Sequence, residues 1–284
     1  MRPALPALLL GATCIALSPI FVRLSEAGPI ATAFWRTALA LPALWPLYLA
    51  QTRTARRSSL PRVLLVAAGL AFAGDLAFWH AAIGLTSVAN STLLANLASI
   101  FVTLAAWAFL RQRPTALFLA GLAAALGGVL LLVQSSLRFS AHGLLGDALG
   151  VVTALFYAGY LLAVKALRDR GCGTLLIMAV TSTITTLALL PIALLSGERI
   201  VPVSSGGWLD LVGLALISHA AGQGLIAYAL AHLPAAFSSV SLLLQPVMAA
   251  IFAWLLLTEP LSPLQFAGGA VVLAGIYFAR RGSR

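Results

Sequence analysis

The chain has 284 residues, 61% hydrophobic and only 8% charged, with mean hydropathy +1.04 and formal net charge +10. Soluble domains carry about 25% charged residues, so this composition excludes a water-soluble globule and leaves no length for a soluble catalytic domain. The net charge could suggest nucleic acid, but the basic residues sit between apolar runs, as in cytoplasmic loops of membrane proteins. No nucleic-acid partner is expected.

A helix crosses the ~30 Å hydrocarbon layer with about 20 apolar residues. Ten such spans are predicted, at 4–22, 29–50, 63–84, 89–110, 115–133, 146–164, 174–196, 208–230, 236–257 and 263–280. The fold class is an all-α polytopic membrane protein, read as residues 1–140 and 141–284 with five spans each. The first span resembles a secretory signal, but Pro19 after Ala-Leu-Ser is a poor cleavage context and the apolar run continues to Val22. Ser18-Pro19 is expected to kink it, because proline breaks an i→i−4 bond.

Arg36 lies about one-third of the way into span two. It either snorkels to the surface or counters an acid such as Asp75 or a carboxylate on a solute. Asp75 falls near the middle of span three, where a carboxylate costs roughly 2.5–3.5 kcal/mol to insert. Trp79 shares its face at i+4 and His80 is rotated off it.

Span four carries Thr92, Asn96, Ser99 and Thr103 on one helical face. Small hydroxyls alone would suit helix packing; Asn96 is bulkier and points to a lined cavity. Tyr157 and Tyr160 in span six either line that cavity or pack. Thr174, Met178, Thr181 and Thr185 in span seven read as packing. In span eight His219 and Gln223 form an i, i+4 pair, and in span nine Ser238, Ser241 and Gln245 continue into Pro246. Asp75, His219 and Gln223 could meet at the centre as a proton-titrating or solute-binding cluster, or serve as a structural hydrogen-bonded network.

With the N-terminus inside, cytoplasmic segments hold Arg2, Arg53, Arg56, Arg57, Arg62, Arg111, Arg113, Lys165, Arg168, Arg170, Arg280, Arg281 and Arg284. The other side keeps Arg23, Arg36, Arg138 and Arg199 with five of the seven acids. This asymmetry predicts that both termini are cytoplasmic.

Sliding Leu85–Gly128 by 147 positions lays Ala89 on Ala236, Ser91 on Ser238, Trp107 on Trp254, Gly121 on Gly268 and Gly128 on Gly275. Five spans per half is odd, so the second copy is expected upside down in the bilayer. No clean single offset relates spans one and two to six and seven. The two cysteines, Cys14 and Cys172, offer no disulfide framework. HExxH, GxSxG and GxxxxGK[ST] patterns are absent; no cofactor, metal or ATP is expected. A membrane enzyme would need clustered acids or nucleophiles at one interface, and the acids here are scattered.

SPIFVRL…GP…FWR in the first two spans, TSVANSTLLANLASIFVTLAAWAFLRQRPT and LPAAFSSVSLLLQPVMAAIFAWLLLTEPLSPLQFAGGAVVLAGIY together resemble the drug/metabolite transporter superfamily, in its ten-helix EamA branch. After spans four and nine that family commonly reads Gly-Glu; Glu259 keeps the acid and Gln112 does not. The resemblance implies a bacterial inner-membrane carrier, often an exporter of amino acids or related metabolites, with a central cavity between the repeats.

The expected function is secondary transport of a small metabolite by alternating access between inverted repeats. Asp75 and His219 would exchange protons; Arg36, Trp79, His80, Asn96, Tyr157, Gln223 and Gln245 would contact the solute. The alternative is a passive facilitator or channel of the same architecture. Expected partners are the solute, the lipid bilayer and protons, in a monomer or a homodimer.

Overall fold

The computed structural model describes residues 3–52, 61–86, 88–134 and 143–283. Among them are ten helical passes at the predicted places. They are α1 (Ala4–Leu24), α2 (29–52), α3 (Arg62–Leu85), α4 (88–110), α5 (Ala116–Val133), α6 (Leu144–Asp169), α7 (Thr174–Leu195), α8 (Ser205–Ala229), α9 (Ala235–Leu257) and α10 (Pro263–Gly282). Eight of them, all but α2 and α10, contain a stretch long and apolar enough to cross a bilayer on those grounds alone. Arg2, Arg53, Arg56, Arg57, Arg138 and Arg284, used above for orientation, lie outside the described residues.

The periphery presents large apolar side chains outward, including Phe109, Leu195, Phe266 and both repeat-related tryptophans, Trp107 and Trp254. Hydrocarbon rather than water is the solvent this surface suits.

Several passes are broken. α1 stops at Ile15 and resumes at Ser18, because the Pro19 ring would collide with the Ile15 carbonyl. α9 breaks between Ser241 and Leu244, where Pro246 stands in the same relation to Leu242. α4 breaks between Ala95 and Ala98 without a proline: the Asn96 side-chain amide donates to the Thr92 carbonyl at 2.8 Å, and the chain tightens through Leu97 N–H to Leu94. α8 runs as a π-helix from Leu214 to Gln223.

The passes pair in an ordered way. α5 packs along α10, α2 on α7 and α4 on α9. α3 packs on α6 and α7 while α8 packs on α1 and α2; α4 meets α6 while α9 meets α1. Replacing each pass by the one five along returns the first three pairs to themselves and exchanges the others with one another.

Local geometry follows the 147-residue offset closely. Arg111 and Thr258 end α4 and α9 in the left-handed conformation, at φ 54° and 57°, and their N–H groups bond to Ala106 and Ala253. Thr115 and Ser262 then cap α5 and α10 by accepting from Phe118 N–H and Gln265 N–H. The α5–α10 crossing depends on glycine: a Cβ on Gly128 would lie 2.7 Å from the Gly268 carbonyl, and one on Gly268 would lie 2.8 Å from the Gly128 carbonyl.

On the face opposite the termini, acids tie the loops together. Glu26 accepts from the Val203 and Ser204 N–H groups and the Ser204 hydroxyl, at 2.7, 2.9 and 2.6 Å. Glu198 accepts from Ile30 and Ala31 N–H, at 2.8 and 3.2 Å. Asp147 accepts from Thr86 and Asn90, joining the α3–α4 turn to α6. Arg23 and Glu259 form an ion pair between the end of α1 and the α9–α10 loop.

Candidate functional site

The helix breaks converge on one cavity of about 730 Å³ of empty space, part of it open to the exterior. Ala16, Ser18 and Pro19 come from the break in α1, Asn96 from that in α4, and Gln245 and Pro246 from that in α9. Gln223 stands at the end of the π-helix. Irregular backbone is tolerated at membrane depth where it lines such a cavity. The lining residues of α1, α3 and α4 place it in the half of the bundle away from the termini.

Two ionisable side chains face this space from α2 and α3. Arg36 is only 4% exposed, so it does not snorkel; its guanidinium makes no hydrogen bond among the described residues, and its buried Nε is unpartnered. Asp75 is half-buried and likewise accepts no hydrogen bond from any described residue. The two attract one another through space but lie farther apart than the 4.0 Å of an ion pair.

Trp79 lines the cavity one turn beyond Asp75 and meets the His80 ring edge-on at 4.8 Å. The Tyr157 hydroxyl lies beside the side-chain amides of Gln223 and Gln245. One polar atom of each amide, Gln223 Oε1 and Gln245 Nε2, is buried and has no hydrogen-bond partner among the described residues. Asn96, Tyr157 and Gln245 also border a second space of about 240 Å³, which continues past Ser99 and Ser239 between α4, α6 and α9.

The structure therefore brings together Arg36, Asp75, Trp79, Asn96, Tyr157, Gln223 and Gln245. It does not bring His80 or His219 to the wall. His80 is fully buried, with Nδ1 2.8 Å from the Leu76 carbonyl and Nε2 unpartnered. His219 shares a 2.8 Å hydrogen bond with Ser182 of α7 through Nε2 and stacks on Phe72 at 5.3 Å between ring centres. Its Nδ1 has no partner among the described residues.

The polar stripe of α4 divides. Thr92 and Asn96 line the main cavity, whereas the Ser99 hydroxyl donates to the Ser239 carbonyl at 3.0 Å and Thr103 to Ser99 at 2.7 Å. The lower half of the stripe is packing between α4 and α9. Tyr160 is buried against Phe72. On α7, Thr185 donates to the Gly69 carbonyl of α3 at 2.8 Å, consistent with a packing stripe. Sequence reasoning did not single out Thr153, which lines the wall from α6, although it stands one turn from Tyr157 on the same face. Among the described residues no group of His, Cys, Asp and Glu could hold a metal ion.

A family model described as "EamA-like transporter family" matches residues 2–134 and 144–281. An uncharacterized transporter of Archaeoglobus fulgidus is 29% identical over 91% of this chain and 90% of its own. A "Probable terminal-alkyne amino-acid exporter" of Streptantibioticus cattleyicolor is 31% identical over 68% of this chain and 64% of its own. A "Probable amino-acid metabolite efflux pump" of Salmonella typhimurium is 29% identical over 78% and 77%. One solved crystal structure superposes on 100% of this chain and 99% of its own with a TM-score of 0.83 at 18% identity, a likeness of fold.

Proposed function

Because this chain belongs to the EamA-like transporter family, we propose that it is a secondary carrier exporting a small amphipathic metabolite, an amino acid or a close relative, across a bacterial inner membrane. It is a multi-pass membrane protein of a transporter family, and both termini are assigned to the cytoplasm by the positive-inside asymmetry. Residues 1–140 and 141–284 act as two inverted five-helix repeats that rock about the cavity between them. The repeated left-handed caps at Arg111 and Thr258 and the exchange pattern of helix pairs support that division.

The observation that carries the proposal is the cavity itself: ionisable and amide side chains from both halves face one space built on the breaks of α1, α4 and α9. A carrier needs a site sealed on one side at a time. A passive channel needs a continuous pore instead, and saturable counterflow separates the two. Asp75 is the proton-exchanging group of this reading, since it stands unpartnered in the cavity, while His219 is engaged by Ser182.

The relatives' names motivate the solute class. Counterflow of labelled amino acids in proteoliposomes tests the carrier: uptake that saturates and is accelerated by internal unlabelled solute is expected, and flux rising linearly with concentration would overturn it. Asp75→Asn is expected to abolish stimulation by a pH gradient across about pH 5–8. Equal rates for wild type and variant would remove proton exchange from the proposal.

A further inference from the structure

We propose that the cavity selects zwitterions, holding a solute carboxylate on Arg36 and its ammonium group on Asp75, with an apolar side chain against the remaining wall. This rests on the carrier reading and names the chemistry its solute must have.

The argument begins with what the protein leaves unpaired. A guanidinium offers five N–H donors and a carboxylate about four acceptor sites. Taking either from water costs several kcal/mol unless hydrogen bonds and an opposite charge offset it. Arg36 is 4% exposed, yet no described residue accepts from it, and none donates to Asp75. Buried polar groups in folded proteins are almost always satisfied, so an exception calls for a missing partner.

The two charges could have satisfied each other. They face the same space from adjacent passes but remain beyond ion-pair distance. A molecule bearing only a negative charge would satisfy Arg36 and add repulsion at Asp75; one bearing only a positive charge would do the reverse. A molecule carrying both charges on neighbouring atoms satisfies both residues at once. Guanidinium–carboxylate pairing can also be bidentate, which fixes orientation as well as strength.

The rest of the wall suits an apolar substituent. Ile15, Pro19, Leu76, Trp79, Pro246 and Ala249 supply carbon surface around the charges. The Gln223 and Gln245 side chains add amide groups to the same wall. The cavity therefore combines an apolar lining with a few convergent polar groups, the usual make-up of a small-molecule site.

Binding to the purified full chain in nanodiscs, followed by calorimetry with L-leucine and L-phenylalanine as probes, tests the proposal without altering the protein. Each probe is compared with its amide, which lacks the carboxylate, and with its N-acetyl derivative, which lacks the ammonium. Loss of either charge is expected to weaken binding about 30-fold or more. Arg36→Gln should erase the penalty for the amide while leaving that for the N-acetyl form, and Asp75→Asn should do the converse; Arg36→Lys should restore part of the first. Size-exclusion profile and melting temperature establish that each variant is folded.

Equal binding of an amino acid and its amide to wild type would overturn the assignment, as would variants that weaken all three ligands equally. Absence of any amino-acid binding would also overturn it. If a singly charged or neutral solute nevertheless showed saturable counterflow, the carrier reading would stand and zwitterion selection alone would fall. Absence of counterflow for every solute would count against the carrier itself.

Discussion

Glu26 and Glu198 each cap the helix that follows the other's loop. Glu26 lies between α1 and α2 and takes the Val203 and Ser204 N–H groups just ahead of α8; Glu198 lies between α7 and α8 and takes Ile30 and Ala31 N–H at the start of α2. Helix N-termini leave N–H groups unsatisfied and carry partial positive charge, so a carboxylate serves both needs. Gly28 N–H donating to Arg199 and the Trp35 indole donating to Ile200 fasten the same two loops. The crossed caps make the α1–α2 and α7–α8 connections one unit on the face opposite the termini.

That clasp should be sensitive to acid. Hydrogen bonds from the Ser204 hydroxyl, followed by the Ser204 and Val203 N–H groups, hold the Glu26 carboxyl below the usual carboxylate range. A pKa lowered on folding contributes stability that is complete above the unfolded value, ordinarily about 4.3. The contribution is then lost as pH falls through the folded value. The melting temperature of wild type should exceed that of Glu26→Gln by a constant margin from neutral pH down to the ordinary carboxylate range, and the margin should close only below it. A margin already closing near neutrality would contradict this account of the clasp.

Arg36 should be a liability for stability. Taking a charge from water costs several kcal/mol unless hydrogen bonds and a close opposite charge offset it, and among the described residues Arg36 has neither. Arg36→Met is therefore expected to melt at or above the wild-type temperature and to lose counterflow. A variant that melts markedly lower would mean that the guanidinium holds the bundle together.

Much of this fold was legible because hydrocarbon imposes a blunt requirement: a run of apolar residues long enough to cross. All ten spans were read from sequence and appear as passes, eight of them long and apolar enough on those grounds alone. The cavity was legible where a polar residue has no business in lipid, as with Arg36, Asp75, Asn96 and Gln245. What the sequence hid depends on backbone form. Nothing in Leu214–Gln223 announces a π-helix, whose wider turn moves side chains off the α-helical phase. The placing of His219 beside Asp75 assumed an ordinary helix and carried the 147-residue offset into α3 and α8. The offset is kept by the caps of α4 and α9, but Gly222, the counterpart of Asp75, lies against Gly11 of α1. The acids of the opposite face read as charge balance alone, because a cap on a distant helix requires knowing which loops meet.

Neighbouring glycines of α5 should respond oppositely to one methyl group. A Cβ on Gly128 would meet the Gly268 carbonyl and the Val272 backbone nitrogen, both at 2.7 Å, whereas one on Gly127 meets nothing within 4 Å. Backbone atoms cannot rotate aside, so Gly128→Ala should push α5 from α10 and cost about 1–3 kcal/mol, as overpacking does. Gly127→Ala should be neutral or slightly stabilising, by at most about 1 kcal/mol. Thermal unfolding of the two variants in one detergent makes the comparison; similar losses would mean that the crossing is looser than its geometry.

Ser182→Ala separates a structural histidine from a titrating one. The Ser182 hydroxyl is the partner of His219 Nε2, and Nδ1 already lacks one. Removing the hydroxyl leaves the imidazole buried without any hydrogen bond, which should cost about 1–3 kcal/mol and lower the melting temperature. Solute affinity should be unchanged, because neither residue lines the cavity. Flux in proteoliposomes, measured against pH for wild type and Ser182→Ala, decides the role of His219. Superimposable profiles at reduced thermal stability are the outcome expected of a packing residue between α7 and α8. A displaced profile at unchanged affinity would place the His219 ring on the proton route, because the loss of one hydrogen bond alters its basicity without touching Asp75.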